Sequence, residues 1–240
     1  MHKNITIVAA CVDFDDYLNI VAQSWIQLKP KEIIIVTTDD DHKTIRLCNK
    51  YGLTAKTVKR PKRWIRGYYI NSGLKDVKTC WSLVLDSDCW LPNLTINTNK
   101  LHKRYLYGLK LAQMSAEQLE NYTIGNYYPN RIRTRVTGSG FFQLFCARTQ
   151  RKYDRWYNEE CNVLPNGKGT SYNFSRKWRR RKLLSNDFAI EISSNHNRQG
   201  RKTMRYPNDV VFTKGKLIQN KTSRFKKLIN NRNGTIIHEI

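Results

Sequence analysis

The sequence predicts an α/β fold with a central, mostly parallel sheet flanked by helices and basic loop and helix elaborations in the C-terminal half. Three observations carry that expectation. Apolar runs of strand length alternate with helix-period segments through the first half, and nothing repeats at a fixed period. A chain of 240 residues can also bury one full-sized core.

The elements follow in order. Ile5–Cys11 is apolar save for Thr6, the pattern of a strand buried on both faces. Asp15 or Asp16 then caps a helix whose apolar residues Leu18, Val21, Ala22, Trp25 and Leu28 recur at helical spacing, and Pro30 ends it. Glu32–Val36 is a second buried strand, and a helix carrying Ile45, Leu47 and Cys48 runs to a stop at Gly52. Thr54–Val58 is a short third strand, Gly67–Leu74 a helix, and Cys80–Leu85 the fourth strand. Beyond Pro92 the periodicity predicts a helix over Lys110–Tyr122, a strand within Gly138–Phe145 and a helix near Thr149–Tyr157. Gly167–Arg205 is polar and basic, and Thr235–Ile240 is a small apolar segment.

Charge and cysteine usage narrow the class. With 43 Lys and Arg against 19 Asp and Glu, the net charge is +24, a field that favours polyanionic partners. No apolar run has the length to cross a bilayer. Met1-His2-Lys3-Asn4 leads directly into a strand, so no secretory signal is expected. The six cysteines are scattered without a CxxC pair, as expected of reduced, mostly buried thiols in a cytoplasmic protein. Asn166–Ser171 lacks P-loop spacing, Gly138-x-Gly140 lacks the third glycine of a dinucleotide fingerprint, and no G-x-S-x-G elbow occurs.

The segment Leu83-Val84-Leu85-Asp86-Ser87-Asp88-Cys89-Trp90-Leu91-Pro92 sends an apolar strand into two acids and then stops at proline. Two carboxylates one residue apart repel unless a cation sits beside them. Either water solvates them on a turn, or a hard divalent ion, Mn²⁺ or Mg²⁺, holds them with water and a diphosphate completing its shell. In open α/β sheets ligands bind at the carboxyl ends of the strands, where Asp86, Asp88 and Asp39 all stand.

The two βα units, the strand and the D-x-D resemble the inverting family-two glycosyltransferases of the GT-A fold. The resemblance covers most of the chain. It implies a single domain over 1–240, with 1–92 binding the nucleotide-sugar and 93–240 the acceptor. Cys11-Val12-Asp13 matches the start of that family's nucleotide pocket, and Asp39 an acid that reads the uracil or ribose. Arg66-Gly67-x-x-x-Asn71-x-Gly73-Leu74 is similar to the family's K-G-x-x-x-N-x-G, with arginine in place of lysine near the phosphates. Gly138-Ser139-Gly140-Phe141-Phe142 resembles the glycine-aromatic strand beside the donor sugar. Ser185-Asn186-Asp187-Phe188 resembles the region whose aspartate is the catalytic base. His238 resembles a C-terminal metal ligand, although Glu239 and Ile240 replace the usual leucine and glycine.

The resemblance therefore implies a UDP-sugar donor, a divalent metal on Asp86, Asp88 and His238, and transfer of a hexose, glucose foremost, to a hydroxyl. Each residue keeps an ordinary alternative: a helix cap for Asp39 or Asp187, a solvated or core histidine for His238, core rings for Trp90 and Phe141.

The charge then suggests the acceptor. Basic segments interleave aromatics, with Arg63 and Trp64 in one, Arg176, Lys177, Trp178, Arg179, Arg180, Arg181 and Lys182 in another, and Phe225 within Lys221–Lys227. Cations on a backbone and rings on bases suit DNA. The expected acceptor is a hydroxymethylated pyrimidine in DNA, as in viral enzymes that glycosylate their genomes. Alternatives are a lipid-linked or surface polysaccharide at an anionic membrane, a non-catalytic nucleic-acid-binding protein, and a metal-dependent nuclease.

Overall fold

The structure, a computed structural model, describes residues 2–62, 64–92, 94–129, 132–133, 141–160, 169–192, 211–213 and 216–218. Gly138, Gly140, Arg63, Phe225 and His238 lie outside the described residues.

The first half folds as its periodicity predicts, except that Phe14 and not Asp15 or Asp16 is the N-cap of the first helix, without a side-chain cap bond; the two acids sit in its first turn instead. Strands β1 (His2–Ala10), β2 (Pro30–Thr38), β3 (Thr54–Val58) and β4 (Trp81–Asp86) pair in parallel in the order β3-β2-β1-β4. Helices α1 (Asp15–Gln27), α2 (His42–Tyr51) and α3 (Arg66–Asp76) connect them. Leu18, Val21, Ala22 and Trp25 form the buried stripe of α1. Asp41 caps α2 by accepting from Thr44 N at 3.2 Å. Gly52 ends that helix at φ +66°, a left-handed conformation that favours glycine.

The second half extends the same sheet with mixed directions. Strand β5 (Cys89–Trp90) follows the paired acids, β6 spans Tyr105–Met114, β7 Ile132–Arg133, β8 Phe142–Cys146 and β9 Arg180–Ile192. The order continues β4-β8-β6-β9-β5, with β7 also on β6. Strand β8 is antiparallel to β4 and to β6, β9 is parallel to β6, and β5 is antiparallel to β9. A separate antiparallel pair joins β10 (Val211–Thr213) to β11 (Lys216–Ile218).

Three expectations shift here. The predicted helix over Lys110–Tyr122 is half strand: β6 runs to Met114, and α4 covers only Ala116–Thr123. Leu109, Leu111, Ala112 and Met114 are buried, so a central strand apolar on both faces mimics helical spacing. The true boundary is the capping box in which Ser115 and Gln118 bond each other's backbone amides. The helix near Thr149–Tyr157 is α5, Ala147–Lys152, ended where Asp154 takes φ +48°. The basic segment after Gly167 holds a helix, α6 (Thr170–Arg176), and the long strand β9.

Two apolar layers cover the sheet. One packs α1 and α2 residues such as Trp25 and Cys48 on Ile5, Ile7 and Leu83. The other packs α3 with Tyr157, Phe174 and Trp178 against Val8, Val84 and Phe145. Helix α3 lies close to the sheet because position 73 is glycine: a Cβ there would stand 2.6 Å from Val8 Cγ1 and 2.8 Å from Val36 Cγ2. Gly73→Ala should therefore destabilise the fold by about 1–3 kcal/mol, the usual cost of overpacking a core, read as a lower urea midpoint at unchanged slope.

Candidate functional site

The carboxyl ends of β1, β2 and β4 form one rim. Asp86 closes β4, and its backbone N–H donates to Phe141 O at 3.3 Å. Ser87 and Asp88 form a turn and are buried, Asp88 with 4% of its surface exposed. Asp88 O in turn accepts from Ile192 N at 2.9 Å, and Trp25 Nε1 donates to Cys89 O at 2.7 Å, so β9 and α1 both hold the turn.

The first acid is paired. Arg66, opening α3, donates to Asp86 Oδ1 through Nε at 3.0 Å and Nη2 at 2.8 Å. The two side chains are 13% and 29% exposed. The guanidinium also lies 5.3 Å from the centre of the Tyr157 ring. Burial works against its charge, but the Asp86 carboxylate and the Tyr157 phenol outweigh burial and raise its pKa. Tyr157 is itself buried, which pushes its phenol up although Arg66 pulls it down. Its ring stacks on Phe174 at 4.1 Å and its hydroxyl donates to Gln143 Oε1.

Asn71 explains why this assembly stays in place. Its Nδ2 donates to Tyr157 O at 2.9 Å and to Glu159 Oε1 at 2.7 Å, while its Oδ1 accepts from Tyr157 N at 3.0 Å. Asn71, expected beside the donor, acts here as a clamp on the chain segment behind Arg66. Gly67 permits the same approach, since a Cβ would sit 1.7 Å from Asn158 O.

The three acids after β2 divide their work. Asp41 Oδ2 accepts from Asp13 N and Thr37 Oγ1, each at 2.9 Å, in addition to its cap on α2. Asp40 pairs with Arg60 at 2.8 Å, and the arginine's hydrogen bonds hold its carboxyl below the usual range. Arg60 reaches Asp13 as well, at 2.8 Å. Asp39 is left exposed at the rim, its N–H on Val58 O at 3.2 Å. Val12 is buried at the end of β1, beside that surface. Sequence reasoning named Asp13 within Cys11-Val12-Asp13 but missed Arg60 and Tyr157: Arg60 looks like any other cation in a basic run, and Tyr157 carries no motif.

Two expected ring positions are corrected. Phe141 has 4% of its surface exposed and its ring belongs to the core, so its carbonyl on Asp86 is what it contributes to the rim. Trp178 is 1% exposed, packed on Phe145 and Phe174, and cannot stack on a base. Its periodicity within a charge run hid a core residue. Trp64 is half-buried and stacks on Tyr69 at 4.5 Å. Arg176, Lys177, Arg179, Arg180, Arg181 and Lys182 are exposed. Arg180 donates to Tyr105 Oη at 2.7 Å, and Lys182 lies 5.1 Å from the same ring.

Asp187 is an exposed residue of β9, accepting from Ser185 Oγ at 2.7 Å, and is not a helix cap. Next to it, Phe188 contacts Tyr122 and Tyr128 edge-on, each at 6.0 Å. Burial, Tyr128 and the Asp187 carboxylate push the Tyr122 phenol above its ordinary value.

Among the described residues no group of three His, Cys, Asp or Glu side chains converges as a ready metal cage. Asp86 and Asp88 nevertheless offer the hard oxygen donors that Mn²⁺ or Mg²⁺ takes, with the rest of its shell left to diphosphate and water. The donor set fits such an ion.

The order of β1 to β4, the acid-tipped fourth strand and the antiparallel β8 beside it are those of the GT-A fold. Solved structures bear this out. S. aureus TarS 1-349 superposes with a TM-score of 0.57 at 14% identity over 79% of this chain, and its UDP-GlcNAc complex with 0.57 at 15% over 80%. The mannosyltransferase PcManGT from Pyrobaculum calidifontis, in complex with GDP-Man and Mn²⁺, gives 0.54 at 11% identity over 86%. The chain spans about 60% of the length of these structures, since 60% of each TarS 1-349 chain and 61% of PcManGT are covered. No protein-family model and no curated protein matches the sequence.

Asn71→Ala would leave Tyr157 N and O without their partners in a buried setting. The expected loss is roughly 2–5 kcal/mol of stability, read from urea unfolding.

Proposed function

We propose that this protein is a metal-dependent, inverting glycosyltransferase that moves a hexose, glucose foremost, from a UDP-sugar to a hydroxyl on DNA. The observation that carries the reading is the Arg66–Asp86 pair beside Asp88 at the carboxyl rim of a GT-A sheet. Solved structures of the same fold hold UDP-GlcNAc, or GDP-Man with Mn²⁺, which supports a nucleotide-sugar donor.

In this reading residues 1–92 serve the donor and 93–240 the acceptor. Val12 and Asp39 hold the nucleoside, and Arg66 supplies positive charge at the diphosphate. Gly138, Gly140 and the Phe141 backbone line the sugar's side. Asp86 and Asp88, with His238, would hold the ion, which when bound would supply positive charge to the departing diphosphate. Asp187 takes the proton of the acceptor hydroxyl as its oxygen bonds to the anomeric carbon and the bond to diphosphate breaks, inverting that carbon.

The acceptor assignment rests on charge. The expected base is a 5-hydroxymethylpyrimidine. Arg181 lies in register with Leu106, Leu106 with Phe145, and Phe145 with Ser82, four residues before Asp86. Strand rise and spacing set that cationic corner about 20 Å from the acids, close enough for one duplex to touch both. A glycan acceptor at an anionic membrane is the second reading, and the same exposed cations favour it. No helix of the described residues is long and apolar enough to cross a membrane.

Asp88→Asn and Asp187→Asn should each abolish or cut transfer at least a hundredfold while the melting temperature stays near that of the parent. UDP with Mn²⁺ should raise that temperature for the parent and not for Asp88→Asn; equal stabilisation of both would remove the metal site. Separately, replacing Arg179, Arg181 and Lys182 by alanine should lower the slope of log K for DNA against log salt by about 2–3, at roughly 0.9 per phosphate contact.

A further inference from the structure

From Trp90 onward, two residues past Asp88, the chain lines a cleft of about 620 Å³, within the usual size for a small-molecule site. One wall is β5 and the residues after it, with Trp90, Leu91 and Pro92; the other is the end of α4 and the following turn, with Tyr122, Asn126, Tyr127 and Tyr128. Gln27 closes one end. Tyr128 is 66% exposed and meets Phe188 edge-on, so its ring stands at the mouth of the cleft.

Chemistry makes this cleft distinctive. Among the described residues none of those lining it is charged, although the chain carries +24. It offers four rings, together with the amides of Asn126 and Gln27. Such a lining disfavours phosphate inside and suits a flat, uncharged ligand with hydrogen-bonding edges.

Its place matters as well. Trp90 stands two residues after Asp88 and pairs with Ile190, while Leu91 N donates to Ser24 Oγ at 3.1 Å, so the wall is fixed to α1 and to β9. Phe188, next to Asp187, touches both Tyr122 and Tyr128. One wall thus continues the segment that carries the acids, and two rings of the other wall contact the strand that carries the proposed base.

We infer that this cleft receives the acceptor's pyrimidine, swung out of the DNA stack, with the rings of Trp90 and Tyr128 against its faces and the Asn126 and Gln27 amides at its edge. The inference rests on the DNA-acceptor reading above. It explains how one protein combines a strongly cationic surface with a neutral pocket: phosphates stay outside and the base alone enters. Extrusion is what a base needs before its hydroxymethyl group can reach a carboxylate and a sugar donor.

The test is transfer of labelled sugar to duplexes carrying 5-hydroxymethyluracil or 5-hydroxymethylcytosine, with 2-aminopurine beside the target base to report unstacking. For Trp90→Ala and Tyr128→Ala, KM for the duplex should rise about tenfold or more, the scale of losing one base–ring stack, with KM for the donor within twofold. The 2-aminopurine signal seen with the parent should fall. Tyr128→Trp should retain most of both, and melting temperature with UDP binding checks that each variant is folded. If the parent labels these duplexes and both alanine variants keep a KM within twofold, the cleft inference is overturned while the transferase reading stands. If the parent labels a neutral oligosaccharide and no duplex, the cleft is not a base site and the DNA acceptor falls with it. Failure of the parent to cleave UDP-sugar under any condition overturns the donor chemistry itself.

Discussion

Holding two carboxylates one residue apart at the tip of a buried strand requires a positive charge that cannot drift away. Arg66 meets that requirement by pairing with Asp86 from the first turn of α3. The pair depends in turn on backbone geometry behind it. Gly67 lets the helix start against Asn158 O, and Asn71 ties Tyr157 at both its N–H and its carbonyl. An arginine is well suited to the position. Its planar fork can grip a carboxylate and lie over a ring at once, where a lysine would supply only a point charge. Motif residues that a family pattern assigns to the ligand are therefore, in part, the scaffold that aims one cation.

Charge is distributed unevenly around the sheet. Acids gather at the carboxyl rim, where Arg60 joins Asp13 and Asp40 and Arg66 joins Asp86. Cations dominate the opposite corner, where Arg179 leads into β9, Arg180 to Lys182 begin it, and Arg180 and Lys182 crowd the Tyr105 ring. The aromatic cleft, among the described residues, is lined by no charged side chain. A polyanion would be drawn by the corner, repelled by the unneutralised part of the rim, and admitted to the cleft only through an uncharged portion. Screening at physiological salt leaves that ordering intact at short range, because the Debye length is about 8 Å.

The parallel half of the fold was legible because each signal has one meaning there: continuous apolar runs, a helical stripe in α1, a left-handed glycine after α2. Beyond Pro92 the signals became ambiguous. Strand β6 is buried on both faces, so its apolar spacing fits a helix as well as a strand, and only the Ser115–Gln118 box marks the change. Charge runs misled in a similar way, since Trp178 sits amid cations and packs in the core. Within the site, Asp86, Asp88 and Arg66 could be found from order along the chain. Their pairing could not, nor could Tyr157, because contact between residues 66, 86 and 157 is a property of three-dimensional packing with no local trace in composition.

The turn at Asp88 has its carbonyl bonded to Ile192 N, and β4 has β8 as its far neighbour. During synthesis, then, the acid-bearing strand emerges roughly a hundred residues before the strand that finishes its turn. Until β8 arrives, β4 has an open flank of unsatisfied amides and carbonyls, the kind of edge on which chains stick to one another. Loop closure over such separations is slow, which marks the order of assembly as a hazard for the nascent chain. Cutting the gene near residue 92 would not liberate a working nucleotide module but a sheet missing its middle.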